Sequence, residues 1–418
     1  MNDMFGGARS SDIKVQDVRV PRSVVADAAR FGGLDEGAYV YGDLVIAHGE
    51  KPRLYPPSRT GPPCLVLPRF AEPHVHLDKC HSVDRMPAVG GDLRAAITSQ
   101  AKDRERWTWQ DLRARGTRGL SELAAAGCAV VRSHVDWPYG VEARTPPISW
   151  HVLKEIAQDH AGDLRLQLAP LTTLADLADP VTAKVLGKEI ADAKGALGSF
   201  VLDHPHRKAG IRNAFDIAMR HSLALDFHVD EGLSPGLNGL DIIAQTAIET
   251  GFEGPILCGH ACSLINKTGD NLARTMDLVA RAGITIVTMP TTNLYLQSRT
   301  DGTPDRRGLT RVRELCASGV PVIVGTDNVR DAFCPLGRHD PRTSLALAVL
   351  AAHLDPPLAD LWPMITTDAR NALGMDPVYV DTAHADELVI CAASSSTEAL
   401  SGAATLTPLG TYASGKQP

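Results

Sequence analysis

Short apolar, β-branched runs recur along the middle of the chain, with amphipathic stretches between them. Eight such runs cover 67–76, 128–137, 164–171, 198–203, 223–230, 255–260, 284–290 and 320–327. Near-continuous apolar character is expected of strands buried on both faces. The segments between them carry helical spacing with recognisable ends. One runs from Asp270, a good N-cap, through Leu272, Met276, Leu278 and Val279 to Gly283, and another from Thr310 through Val312 and Leu315 to Gly319. Strands alternating with helices predict a parallel sheet, and eight such units predict an α/β fold of the (β/α)8 TIM-barrel type. A doubly wound dinucleotide fold is disfavoured, because no G-x-G-x-x-G follows the first strand.

The two ends differ from the middle. Residues 1–66 are dense in Gly and Pro, with β-type runs at 13–20, 38–46 and 65–67, and the tail beyond 376 holds another at 387–392. Neither end can bury a core alone, so pairing them predicts one small β domain. The expected organisation is 1–66 and 377–418 forming that domain, with 67–376 as the barrel.

Composition narrows the class. The chain has 418 residues, 44% of them hydrophobic, enough for one large or two modest domains. Its 42 basic and 49 acidic side chains leave a net charge of -7. That balance offers no broad basic surface, which argues against nucleic-acid or membrane-surface partners. The longest apolar run, 345–352, falls far short of the ~20 residues that span a bilayer. Residues 1–15 are polar, without the apolar stretch of a secretory signal. The eight cysteines are scattered and read as mostly buried thiols in a reducing compartment, hence a cytoplasmic protein.

Ionisable residues gather where the predicted strands end. His74 and His76 close the first, His134 and Asp136 the second, and His228, Asp230 and Glu231 the fifth; His260 closes the sixth and Asp327 the eighth. Barrel active sites lie at those ends, so these groups are expected to converge. In His74-Val75-His76 the two imidazoles share a strand face, which suits a divalent metal such as Zn²⁺ or Fe²⁺. A lone H-x-H is weak, since loops and satisfied cores carry it too. His228 and Asp327 strengthen it, because both follow runs too apolar to be loops. An aspartate ending a buried strand costs several kcal/mol unless paired or metal-bound. Three histidines and one carboxylate then leave room for water, the open pattern of a catalytic site. Glu231 lies within reach of that water. His260 suits either a fifth ligand or a group that orients the attacking oxygen. His134 reads equally as a structural or a catalytic histidine, and Asp78 and Lys79 as shaping the mouth or pairing with each other. His151, His160, His221, His339, His353 and His384 are expected at the surface or on helices.

Pro73-His74-Val75-His76-Leu77-Asp78-Lys79, His228-Val229-Asp230-Glu231, His260 and Gly325-Thr326-Asp327-Asn328 resemble the amidohydrolase superfamily, in particular its cytosine deaminase-like branch. Asn293-Leu294-Tyr295-Leu296-Gln297-Ser298-Arg299, the stretch Arg306 to Val312, and Pro335-Leu336-Gly337 resemble further segments of that branch. The resemblance spans about 65–375 in order. It implies a (β/α)8 barrel with a small β-sandwich built from both termini. It also implies one divalent metal ion, zinc or iron, held by His74, His76, His228 and Asp327. Glu231 would shuttle a proton from a metal-activated water to a ring nitrogen, His260 would orient the nucleophile, and Asp327 would also accept a proton. Members of the branch often assemble, so a homo-oligomer is compatible, although no stretch marks an interface.

Two positions depart from the branch. Its pyrimidine-reading glutamine corresponds to Leu171, and its second aspartate to Asn328. Leu can neither donate nor accept, and a lost hydrogen bond to substrate can cost ~10⁴ or more in discrimination, which argues against cytosine itself. Phe333 stands where the branch carries an aromatic near the substrate, so stacking on a flat ring is expected. The expected activity is therefore metal-dependent hydrolytic deamination of a pyrimidine, triazine, pterin or related cyclic amidine. The alternatives are displacement of an alkylamine, as in N-isopropylammelide hydrolases, or opening of a cyclic amide. Ring openers of the dihydroorotase type use a lysine ending the fourth strand, where this chain has Val201-Leu202-Asp203-His204. The zinc cytidine deaminases need a P-C-x-x-C after an H-x-E; His48-Gly49-Glu50 has no such follower. A barrel that only binds a ligand is a distant third, because every ligand and shuttle position is filled.

Overall fold

The computed structural model describes residues 12–58, 61–87, 89–402 and 404–412. Most of the polar start that reads as lacking a secretory signal lies outside the described residues. Eight strands follow one another in a parallel barrel: β1 (Phe70–Val75), β2 (Cys128–Asp136), β3 (Arg165–Thr173), β4 (Ala196–Val201), β5 (Ala224–Val229), β6 (Ile256–His260), β7 (Ile284–Thr288) and β8 (Val322–Val324). Each pairs in parallel with the next. β8 returns to β1 through a bridge between Val75 and Asp327, where the Asp327 N–H donates to the His74 carbonyl at 2.8 Å. Two of the expected metal ligands thus form the seam of the barrel.

The apolar run 67–76 is not one strand. Cys64–Pro68 ends at a proline, whose missing N–H cannot extend a ladder, and β1 begins at Phe70. The helix expected from Asp270 is Gly269–Arg281, with Thr268 at the cap and Asp270 in the first turn, where its charge still favours the helix dipole. The segment 310–319 holds the short helix Val312–Ala317.

The barrel floor is part apolar and part ionic. Ala71, Val130, Leu257, Val287 and Ile323 pack with Ala369, Ala372 and Leu373 in one buried cluster. Among these residues Arg132 donates to Asp226 (2.8 Å) and to the Gln167 amide oxygen (2.9 Å), a fully buried pair.

The chain divides into two compact units. The barrel occupies 70–355 and 368–376; the other unit comprises 1–69, 356–367 and 377–418. In the latter, both termini feed one seven-stranded mixed sheet. Ile13–Pro21 runs antiparallel to Tyr39–Ile46 and parallel to Cys64–Pro68, which pairs antiparallel with Leu388–Cys391. Of the eight cysteines six are buried, Cys64 is half-buried and Cys316 exposed. Among the described residues no helix is long and apolar enough to cross a membrane.

Candidate active site

The strand ends bring the expected side chains together. His74, near the end of β1, is fully buried, and His76 just beyond it is 3% exposed. His76 Nε2 lies 3.2 Å from Asp327 Oδ1 and 3.3 Å from His228 Nε2, and His74 Nε2 lies 3.6 Å from Asp327 Oδ1. Ligands ~2.1 Å from one ion are themselves about 3.0–3.4 Å apart, so these spacings match a shared centre. Both ring nitrogens of His74, Nδ1 of His76 and His228, and both oxygens of Asp327 are buried without a hydrogen-bond partner. Burial holds His74, His76 and His228 well below the ordinary imidazole pKa, which keeps them neutral with lone pairs available. This donor set fits a divalent ion, and those four residues could hold it.

Small residues and bent backbone make the convergence possible. A Cβ on Gly325 would meet His74 Cβ at 2.9 Å, so only glycine lets β8 approach β1 this closely. His260 and Asp327 turn with φ of +68° and +61°, a conformation that L-residues adopt at a cost of ~1 kcal/mol or more. Asp230 shares that geometry but serves the backbone: its carboxylate caps helix Gly239–Thr250, accepting from the N–H groups of Gly239 (2.9 Å) and Leu240 (3.1 Å).

Glu231 and His260 stand beside the ligand cluster. Glu231 Oε2 lies 3.6 Å from His260 Nε2. Burial, reinforced by the negative charge of Asp327, pushes the Glu231 carboxyl well above its ordinary range. The Asn293 amide nitrogen is 3.1 Å from His260 Nδ1, which leaves Nε2 on the side of Glu231.

A cavity of about 330 Å³ opens on this cluster, and Leu171, Asn328 and Phe333 all line it. An Asn328 amide N–H donates to Asp331 (2.7 Å). Lys79 Nζ bonds Asp136 at 2.7 Å and sits 4.9 Å from the Phe333 ring centre, so it pairs with Asp136 rather than with Asp78. Burial works against the charge on Lys79, but Asp136 and Asp78 outweigh it and hold the ammonium above its ordinary range. Asp78 instead accepts from the Asp136 backbone N–H at 2.8 Å. His134 does not line the cavity. Its ring centre lies 4.1 Å from that of His74 at a tilt of 35°, within ligand reach of His74 and His228, and its Nε2 lies 3.1 Å from Asp226 Oδ1 in the floor network.

Of the histidines expected at the surface or on helices, His339 differs: it is 3% exposed, with Nδ1 2.9 Å from Glu122 and its ring 5.4 Å from that of His81. The loop after β8 folds it inward, which no local pattern signals. The sequence reading also missed Gln100 and Arg104. Leu93, Ile97, Gln100 and Arg104 line the cavity from one face of helix Leu93–Arg104. Their i, i+4, i+7, i+11 spacing was the available signal.

A family model described as the amidohydrolase family matches residues 117–379. A pterin deaminase of Rhizobium rhizogenes (strain K84) is 34% identical over 355 residues, covering 82% of this chain and 80% of that protein. This chain belongs to the amidohydrolase family. As an amidohydrolase of the deaminase-like branch it is an enzyme that hydrolyses carbon–nitrogen bonds. The N-isopropylammelide isopropyl amidohydrolase of Pseudomonas sp. (strain ADP) is 20% identical, covering 75% of this amidohydrolase and 76% of its own length. The 5-methylcytosine deaminase of Klebsiella pneumoniae, solved with phosphonocytosine, has the same fold, with a TM-score of 0.78, 22% identity, and coverage of 94% and 95% of the two chains.

Proposed function

We propose that this enzyme removes an exocyclic amino group from a flat nitrogen heterocycle, with a pterin as the best-supported substrate, using one zinc or iron ion. The observation that carries the reading is the Glu231 carboxyl, raised well above its ordinary range by burial, beside His260 and the ligand cluster at the end of a cavity walled by Leu171, Phe200 and Phe333. The 34% identical pterin deaminase supports the bicyclic ring. Leu171 in place of a hydrogen-bonding side chain argues against cytosine.

His74, His76, His228 and Asp327 would hold the ion, which when bound supplies a water molecule that is acidic enough to act as a nucleophile near neutral pH. Glu231 gives its proton to a ring nitrogen and makes the adjacent C–NH₂ carbon electrophilic. His260, with Nε2 directed at the same space, holds the incoming oxygen. As the C–O bond forms, the water proton passes to a carboxylate, Asp327 or Glu231, and then to the amino group. The C–N bond breaks and ammonia leaves; the second proton of the water, released as the carbonyl forms, returns to Glu231, so that amine and water become carbonyl and ammonia.

Ammonia release from pterin, cytosine and N-isopropylammelide, with Zn²⁺, Fe²⁺ or Mn²⁺ supplied, tests the reading. Pterin turnover that falls ~10²–10⁴-fold in Glu231→Ala at unchanged metal content is the expected result. Turnover of cytosine alone, or isopropylamine release without ammonia, would replace the proposed substrate; undiminished turnover by the variant would remove the proposed mechanism.

A further inference from the structure

We infer that Gln100 is a specificity-determining residue that pairs with the lactam edge of the substrate, a ring N–H beside a carbonyl; this rests on the deaminase reading above. Gln100 lies on helix Leu93–Arg104, lines the cavity and is only 1% exposed. Both its Oε1 and its Nε2 are buried without any hydrogen-bond partner. Buried amides in folded proteins are nearly always satisfied, so a doubly unpaired one facing a ligand cavity points to a partner that arrives with the ligand.

Most other polar side chains of the wall are partly engaged, although Arg104 Nε is also unpartnered and Tyr139 stands exposed at the rim. Lys79 and Arg104 both bond Asp136, Asn328 donates to Asp331, and the Thr173 hydroxyl donates to Asp176 at 2.6 Å. The rest of the wall outside the catalytic cluster is largely apolar, as at Leu93, Leu171, Phe200 and Leu202. Such a wall accepts any flat ring, and selection falls to Gln100, the wall amide with both its polar atoms unpaired, which offers an acceptor and a donor side by side. That pattern complements a lactam, whose N–H and C=O are likewise adjacent. One helical turn away, the Arg104–Asp136 pair anchors the helix to the end of β2, so the amide is held on a fixed element.

The test compares pterin with 2-aminopteridine, which keeps the amino-bearing ring and lacks the lactam, on the metal-loaded enzyme and on Gln100→Leu. The parent is expected to prefer pterin by about 10²-fold or more in kcat/KM, and the variant to lose most of that preference through pterin alone. Thermal melting of the variant should be unchanged or higher, because Leu of similar size removes two unpaired buried atoms. Calorimetric binding of pterin provides a readout independent of turnover. If the parent binds pterin without releasing ammonia, the deaminase reading fails while weakened binding by Gln100→Leu still upholds the inference. A variant that keeps the parent's preference, or that binds pterin as tightly, overturns it. So does a marked drop in melting temperature with equal losses on both rings, the mark of a structural amide.

Discussion

Replacing Gly325 by Ala probes how closely the barrel seam sets the position of His74. The added Cβ would lie 2.9 Å from His74 Cβ, and 3.3 Å from both Glu72 Oε1 and Val287 Cγ1. Carbon atoms rest at ~3.5–4.0 Å, so β1 must retreat by about 0.6 Å or more. Little nearby can give way. His74 N–H donates to Glu72 Oε1 at 2.9 Å, its carbonyl accepts from Asp327, and the same Glu72 carboxylate accepts from the Thr326 N–H at 3.1 Å. Overpacking of this kind costs ~1–3 kcal/mol, which in a unit of this size lowers Tm by about 2–5 °C. Metal sites tolerate distance errors of only about ±0.2 Å, so the larger effect falls on metal retention. Metal per chain by mass spectrometry, melting by calorimetry and ammonia release are read together. The variant should bind metal substoichiometrically and lose activity in proportion, despite remaining folded. Full metal content with parental activity would refute the steric reasoning.

Other substitutions address the floor, the second histidine cluster and the metal. Arg132→Met leaves Asp226 charged and buried beneath the site, and should cost about 3–5 kcal/mol in denaturant unfolding; a loss below ~1 kcal/mol would mean the pair is not desolvated. The hydrogen bond from His339 depresses the Glu122 carboxyl from 4.5 to about 2, so its stabilising effect is present above pH ~4.5 and is lost as the pH falls towards 2. Melting of the parent should therefore decline more steeply below pH 4.5 than that of Glu122→Gln, and parallel pH profiles would contradict the assignment. Chelation should lower the melting temperature by several degrees, reversibly on adding Zn²⁺, because a ligand that binds only the folded state stabilises it. An indifferent Tm would count against the proposed ligands.

Much of this architecture was legible from local patterns. Parallel strands covered on both faces stand out as apolar runs, and their polar ends are conspicuous because an unpaired His or Asp is costly there. His74, His76, His228, Glu231, His260 and Asp327, which the structure gathers into one cluster, stand out that way. Gln100 does not, because a glutamine within Leu93–Arg104 looks like any solvated helix position until the helix is known to cover the mouth. His339, expected at the surface or on a helix, is buried instead, because a loop rather than any periodic element carries it inward. Of the two roles open to Lys79, shaping the mouth or pairing with its neighbour Asp78, the second gives way to a bond with Asp136, 57 positions away.

The sequence by itself determined the alternation of strands and helices, hence the barrel, and the residue types at each strand end, hence the range of chemistry open to them. Both follow from short-range burial, which repeats along the chain and can be read in one dimension. Only the tertiary structure decided which polar groups are satisfied: the Arg132–Asp226 floor, the Lys79–Asp136–Arg104 cluster, and the unpaired amide of Gln100. A hydrogen bond depends on distance and angle between groups far apart in the chain, and closing the barrel is what fixes both.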